Sequence, residues 1–229
     1  MSIKFLRFGG HNWRVLDVQD GKALLLSEHV LSQRAYHDKF RAVTWEACTL
    51  RRYLNYEFYN SLSTEDRVRI AETRLENEAN QWYGTDGGND TIDRIFLLSL
   101  EEVVQYFGDS GKLGNRQELK YYISDEYNAK RIAYLDGNAR WWWLRSPGDN
   151  GTDAANVDSD GDVSVCGIFV DNVYCGVRPA LWINPGFWIL WIFCKQKLIR
   201  GGLSPAEKWY LVGLYGAGQI PHGLTVRLR

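Results

Sequence analysis

Trp141 to Trp182 reads WWWLRSPGDNGTDAANVDSDGDVSVCGIFVDNVYCGVRPALW, and the reading of this stretch decides the rest. Its two ends are aromatic and apolar, whereas its middle, Asp149 to Cys175, contains no Lys, Glu, Gln, Met or Trp. Six Asp stand in that window without a Glu, although the remainder of the chain has ten Asp and twelve Glu. Drawing such a window from the remaining composition has a chance of roughly one in three hundred. Turn chemistry accounts for its Gly, Asn, Asp and Ser. It does not account for Cys166, Ile168, Phe169, Tyr174 and Cys175 in the same run.

The genetic code does. An AAC or AAT codon randomised at its two adenines can reach every residue type found in the window, and it cannot encode Lys, Glu, Gln, Met or Trp. The unreachable set and the missing set are identical.

Working outward, WWWL (Trp141 to Leu144) and VRPALWI (Val177 to Ile183) read as strands that bracket the window. Inside it, small apolar residues and glycines recur at spaced positions. Ala154, Ala155, Val157, Gly161, Val163, Val165, Gly167, Val170 and Gly176 are expected to hold the backbone while the residues between them face outward.

Upstream, Ile3 to Phe8, Trp13 to Val18 and Lys22 to Ser27 form a meander whose second turn is Asp20-Gly21, a strong hairpin signal. Thr44 to Leu62 places Leu50, Tyr53, Leu54, Phe58 and Leu62 on one helical face. Ser63 caps a short helix through Ile70. Glu76 to Asp93 reads as a surface loop, and Arg94 to Leu98 as a short buried strand that runs into a capping box, Ser99-Leu100-Glu101-Glu102. That box starts a helix ending near Gly108, and a helix or irregular segment follows around Ser124 to Ala133.

A chain of 229 residues, 45% hydrophobic, can bury a substantial core, and its ten Trp argue for a Trp-packed one. A formal charge of −1 gives no global pull toward nucleic acid. Neither the start, MSIKFLRFGGHNW, nor the apolar run Phe187 to Cys194 has the length of a signal peptide or a membrane span. Synthesis in the cytoplasm, with display by a partner or a phage particle, is the expectation. Cys48, Cys166, Cys175 and Cys194 show no CxxC or metal spacing, so reduced thiols are expected, and neither a metal nor another cofactor.

WWWLRSPG (Trp141 to Gly148), the spaced alanines and valines, and GVRPALW (Gly176 to Trp182) together resemble the variable proteins of diversity-generating retroelements. The resemblance is to the branch built on a C-type-lectin-like domain of the formylglycine-generating-enzyme type. WRVLDVQDGKALLLSE, TWEACTLRRYLN and GGNDTIDRIFLLSLEEV are similar to bacterial domains of that branch, so the likeness spans about residues 3–183. It implies an α+β, C-type-lectin-like fold with short antiparallel strands, a few helices and much loop, over a domain 1–183. In such systems an error-prone reverse transcriptase copies a template repeat, mutates its adenines and replaces the variable repeat in the gene. The implied function is binding, with no catalysis, of a protein or cell-surface molecule.

Carried onto this chain, the variable, ligand-facing candidates fall in residues 149–175. They are Asn150, Asp153, Asn156, Asp158, Asp160, Asp162 and Ser164 in the first half, and Cys166, Ile168, Phe169, Asp171, Asn172, Tyr174 and Cys175 in the second. Phe169, Tyr174 and Ile168 would carry most of the binding energy, as large apolar anchors do. The Asp and Asn residues would select basic partner patches. Trp141, Trp142, Trp143, Arg145, Arg178 and Trp182 are assigned to the frame, the two arginines as hydrogen-bonding or ion-pairing groups beneath the binding face.

Two other functions are weighed against this one. Formylglycine-generating oxidases bind copper through paired cysteines, and Cys166 with Cys175 is the pair at hand, but their spacing and surroundings do not match that motif. An invariant lectin-like module binding carbohydrate or protein is the other. Asp158-Ser159-Asp160-Gly161-Asp162 invites a calcium loop, yet its Gly is fourth and Phe169 stands at position twelve, where an EF-hand has Gly sixth and Glu twelfth. His11, His29, His37 and His222 form no acid-base constellation.

Residues 184–229 lie beyond the resemblance. This tail is apolar and basic, with Lys195, Lys197, Arg200, Lys208, Arg227 and Arg229 against Glu207 alone. FWILWIF (Phe187 to Phe193) reads as a buried strand or sticky edge, and Ser204-Pro205-Ala206-Glu207 as the start of a short helix to about Leu214. The tail is expected to pack on the domain or to join it to a partner protein or a second copy.

Overall fold

The computed structural model describes residues 5–116 and 120–184, which belong to the compact unit Lys4–Asn184. The expectations placed on Phe187 to Phe193 and on the Ser204 helix lie outside the described residues. Strands β1 (Phe5–Phe8), β2 (His11–Gln19) and β3 (Lys22–Ser27) form the N-terminal meander. Asp20 and Gly21 take φ of 47° and 75°, the left-handed pair of a tight hairpin, so Gln19 pairs directly with Lys22. Strand β4 (Ser32–Gln33) follows.

The single helix expected over Thr44 to Leu62 is broken into four pieces. A 3₁₀ turn (Trp45–Ala47) leads to α1 (Thr49–Tyr53), a π turn (Leu54–Phe58) and α2 (Tyr59–Ser61). Cys48 is extended, and its thiol accepts from the Arg51 N–H, so it ends the first turn and caps the next. The apolar face survives the break, with Leu50, Leu54, Phe58 and Leu62 buried and Tyr53 half-buried. Ser63 caps α3 (Thr64–Arg67), accepting from the Asp66 N–H at 3.1 Å.

Strands β5 (Thr73–Leu75) and β6 (Thr91–Asp93) pair with each other. The strand expected over Arg94 to Leu98 does not form, because β6 stops at Asp93. The Arg94 and Ile95 N–H groups go to the Asn55 side-chain oxygen, at 2.8 and 3.2 Å, and leave no ladder to continue. Ile95 to Leu98 are nonetheless fully buried, joined to Ala180 by one bridge at Phe96. The Ser99–Glu102 capping box opens α4 (Leu100–Phe107), which buries Leu100, Val103, Val104 and Phe107 on one side.

Next come β7 (Tyr122–Ile123), α5 (Asn128–Arg131) and the hairpin β8 (Ala133–Leu135) with β9 (Asn138–Arg140). The window and its flanks then supply β10 (Trp142–Pro147), β11 (Asp153–Val157), β12 (Val163–Phe169), β13 (Gly176–Val177) and β14 (Ala180–Ile183). The strand expected over Val177 to Ile183 is thus two strands in two sheets. One sheet runs β1-β2-β3-β14 and the other β4-β13-β10-β11-β12-β7, the latter antiparallel except where β10 meets β13. Short helices segregated from mostly antiparallel sheets make the fold α+β.

Arg178, between β13 and β14, ties the sheets together. It is fully buried and donates to the carbonyls of Ser27 at 2.9 Å, Arg131 at 3.2 Å and Glu28 at 3.3 Å. Its guanidinium lies over the Trp142 ring, 4.8 Å from the centroid. Burial, with Arg14 acting in the same sense against Glu28, pulls its pKa down to about 9, so it stays charged at neutral pH.

The window strands carry a bulge that decides which side chains face outward. Asn156 pairs with Ser164 and Ala154 with Ile168, so Val165, Cys166 and Gly167 stand opposite Ala155 alone. Gly167 has φ of 77°, and a Cβ there would sit 2.4 Å from the Ala154 carbonyl oxygen. Gly167→Ala is therefore expected to cost about 3 kcal/mol in urea unfolding. Gly10→Ala, at φ of 80° with open space around it, should cost about 1 kcal/mol.

Candidate ligand-binding face

Strands β10, β11, β12 and β7 align two rows of side chains across their sheet. One row, Trp142, Val157, Val163 and Ile123, is fully buried and forms the floor of the core. The opposite row is Trp143, Asn156, Ser164 and Tyr122. It begins under Tyr36, whose ring meets Trp143 edge-on at 5.6 Å, and it emerges at Tyr122, which is exposed.

Around that row the structure gathers a polar cluster. The Asn156 amide donates to Asp158 at 2.7 Å, Asn128 donates to Asp162, and Ser164 Oγ lies 3.5 Å from Cys166 Sγ. Ser164 Oγ also accepts from the Gly167 N–H, which pins the bulge. Burial raises the pKa of Asp158, and Asp160 and Asp162 add to the effect against the Asn156 hydrogen bond. Burial also raises the Cys166 thiol. The charges that bear on Asp158 and Cys166 are those of neighbouring Asp residues, so the field at these two groups is negative.

The other end of the window is apolar and more open. Phe169, 59% exposed, meets Phe40, 58% exposed, edge-on at 5.2 Å. Two backbone bonds hold this pair, His37 N–H to the Val170 carbonyl at 2.8 Å and Val43 N–H to the Gly151 carbonyl at 2.9 Å. Asn172 caps the neighbouring turn by accepting from the Tyr174 N–H at 2.9 Å, leaving Val173 and Tyr174 exposed. Asn150, Asp160 and Asp171 are exposed, while Asp158, Asp162, Cys166, Ile168 and Asn172 are half-buried.

Contrary to the sequence expectation, four of the ligand-facing candidates do not reach the surface. Asp153, Asn156, Ser164 and Cys175 are buried, each where a neighbouring strand or turn covers it, so in this conformation they support the face without meeting a ligand. Asp153 accepts from Asn150 at 2.5 Å, and burial raises its pKa, with Asp149 adding to the effect. Cys175 hands its carbonyl to the Arg34 N–H, and burial pushes its thiol well above the usual thiol range.

Among the frame residues, Trp142 and Trp143 are fully buried, and Arg145 lies beneath α4, ion-paired to Glu102 and donating to the Leu97 carbonyl at 3.0 Å. Trp182 is half-buried. Trp141 departs from the frame expected of it: its ring is exposed, and its carbonyl serves the frame by accepting from the Gly176 N–H at 2.9 Å. Of the spaced alanines, valines and glycines, all but Gly167 are buried.

Sequence reasoning missed Phe40, Tyr121, Tyr122 and Val173. The adjacent pair Tyr121-Tyr122 and the codon class of Val173 were visible signals, whereas Phe40 reaches the face only through the long-range backbone bonds above. Native-state thiol labelling read by peptide mass should modify Cys166, and modify Cys48 and Cys175 at least about a hundredfold more slowly. Labelling of Cys175 at the rate of Cys166 would contradict its burial beneath the face.

Among the described residues, no group of three or more His, Cys, Asp or Glu is placed to hold a metal ion, and no helix is long and apolar enough to cross a membrane. No curated protein and no solved structure matches the chain. A family model described as a domain of unknown function, DUF6273, matches residues 20–185. That match covers the second sheet, strands β3 and β14 of the first, the capped helix and the whole window, and the chain belongs to the DUF6273 family.

Proposed function

We propose that this chain is a ligand-binding protein whose Asp149 to Cys175 face is diversified by adenine-directed mutagenesis, a variable protein of a diversity-generating retroelement on a C-type-lectin-like domain. The supporting observation is a coincidence of two independent features. The stretch whose composition matches adenine-randomised codons is also the stretch in which Ala154, Ala155, Val157, Val163, Val165 and Val170 are buried while Asn150, Asp160, Phe169, Asp171 and Tyr174 stand exposed. A scaffold of this kind tolerates exchange of the outer residues, because surface substitutions ordinarily change stability little.

The ligand in this reading is a protein or cell-surface molecule with a basic patch beside an apolar one. Phe169 and Tyr174 supply large contact area at one end, and Asp158, Asp160 and Asp162 supply negative potential at the other. Display would come from a partner or a phage particle.

Sequencing the gene's surroundings tests the proposal. The expected result is a reverse-transcriptase gene and a near-copy of the Asp149 to Cys175 coding region, differing from it only where the copy has adenine. Codons for Ser164 and Ile168 ending in a purine, or mismatches at bases other than adenine, would leave an invariant binding module in its place.

A further inference from the structure

The loop carrying His37 to Arg41 borders the window on one side and walls a groove of about 570 Å³ on the other, facing α1 and β6. That size suits a small organic ligand. The floor of the groove is closed and satisfied. Asp93 accepts from Arg51 at 2.7 Å and from Trp45 and Thr91 at 2.9 Å each, and Arg94 pairs with Glu72.

Three further cations remain, Lys39 and Arg41 on the loop wall and Arg52 on the helix wall. Among the described residues no carboxylate pairs with any of them. Asp38 and Glu46 also line the groove, but Asp38 is 61% exposed at its rim and Glu46 accepts from Asn89.

Arg41 is moreover held in a conflicted position. Its Nε donates to His37 Nε2 at 2.9 Å, while the Thr49 N–H points at His37 Nδ1 at 3.3 Å. His37 is 3% exposed, so its own ring nitrogens have no recourse to solvent. A neutral imidazole carries one N–H and one lone pair, so it can accept from one of these donors and must oppose the other with its own proton. Protonating the ring would set it against both. Burial already lowers the His37 pKa, with Asp38 opposing and Arg41 and Lys39 reinforcing.

An oxyanion in the groove resolves the conflict. The Arg41 guanidinium turns to it, His37 Nδ1 accepts from Thr49, and the imidazole proton sits on Nε2, 3.5 Å from Asp38 Oδ1. We propose that this groove is an oxyanion-binding site for the carboxylate or phosphate of a small organic ligand, gripped by Arg41 from the loop and Arg52 from the helix, with Lys39 at the rim. Arginine suits the role because its planar fork matches either oxyanion with paired hydrogen bonds. The site stands on residues outside the window and does not depend on diversification.

The test is titration of the full chain with inorganic phosphate and, separately, with succinate, followed by calorimetry and by the nitrogen shifts of the His37 ring. Saturation by one or both is expected, with His37 moving to the Nε2–H form, and the tighter probe identifies the oxyanion. Arg41→Gln and Arg52→Gln should each weaken binding by about tenfold or more. Arg74→Gln, whose partner is Asp90 outside this groove, should not. Both groove side chains are exposed, so the variants keep the wild-type unfolding midpoint. Failure of both probes to saturate, or affinity unchanged in the Arg41 and Arg52 variants, overturns the site.

Discussion

A charge buried without a carboxylate governs this fold. Arg178 sits fully inside, held by the carbonyls of Ser27, Glu28 and Arg131 and by the face of Trp142. A buried cation is tolerated only where fixed dipoles replace its hydration. Those carbonyls come from the end of β3, the residue after it and the end of α5, so the cation can be satisfied only when both sheets and the helix are in place. The Arg131 carbonyl also accepts from the Trp142 indole, and the Arg131 guanidinium grips buried Asp125 through two bonds of 2.9 and 3.0 Å. One connected polar network thus sets where β10 begins and where the chain leaves the window.

Arg145 and Glu102 do the corresponding work at the other post, anchoring β10 to the first turn of α4. Between the posts, the window's share of the interior row, Val157 and Val163, is β-branched, and the window's backbone is stitched to the 34–43 segment by bonds from Arg34, His37 and Val43. None of those bonds uses an exposed window side chain. Identity at Phe169, Asp171 or Tyr174 can change with all of these bonds kept, whereas Asn150 and Asp160 accept from the Thr152 and Asp162 N–H groups and Asn150 also donates to buried Asp153.

What was legible in the sequence is what local chemistry determines. Asp20-Gly21 and the Ser99–Glu102 box specify their turn and helix start through residues a few positions apart, and both stand as expected. The helix over Thr44 to Leu62 was not legible in its broken form, because Cys48 and Asn55 take backbone partners that the 3.6-residue period does not register. The strand over Arg94 to Leu98 fails for the same reason, from the other side of the same Asn55 bonds. In the window, composition identified the segment but not its facing. Asn156 and Ser164 lie on the outer row and are still covered, and Asp153 turns in to meet Asn150. Facing depends on the bulge at Gly167, and that bulge depends on pairing registers set by strands far away in sequence.

The central claim is that the outward residues of the window are independent of the frame that holds them. It is tested most directly by replacing Phe169, Asp171 and Tyr174 together, each by Ala, and measuring urea unfolding beside the parent chain. The account predicts a stability within about 2 kcal/mol of the parent and an unchanged denaturant slope, the sum of ordinary surface effects and one lost aromatic pair. A loss above about 4 kcal/mol, the scale of a core disruption, would contradict it.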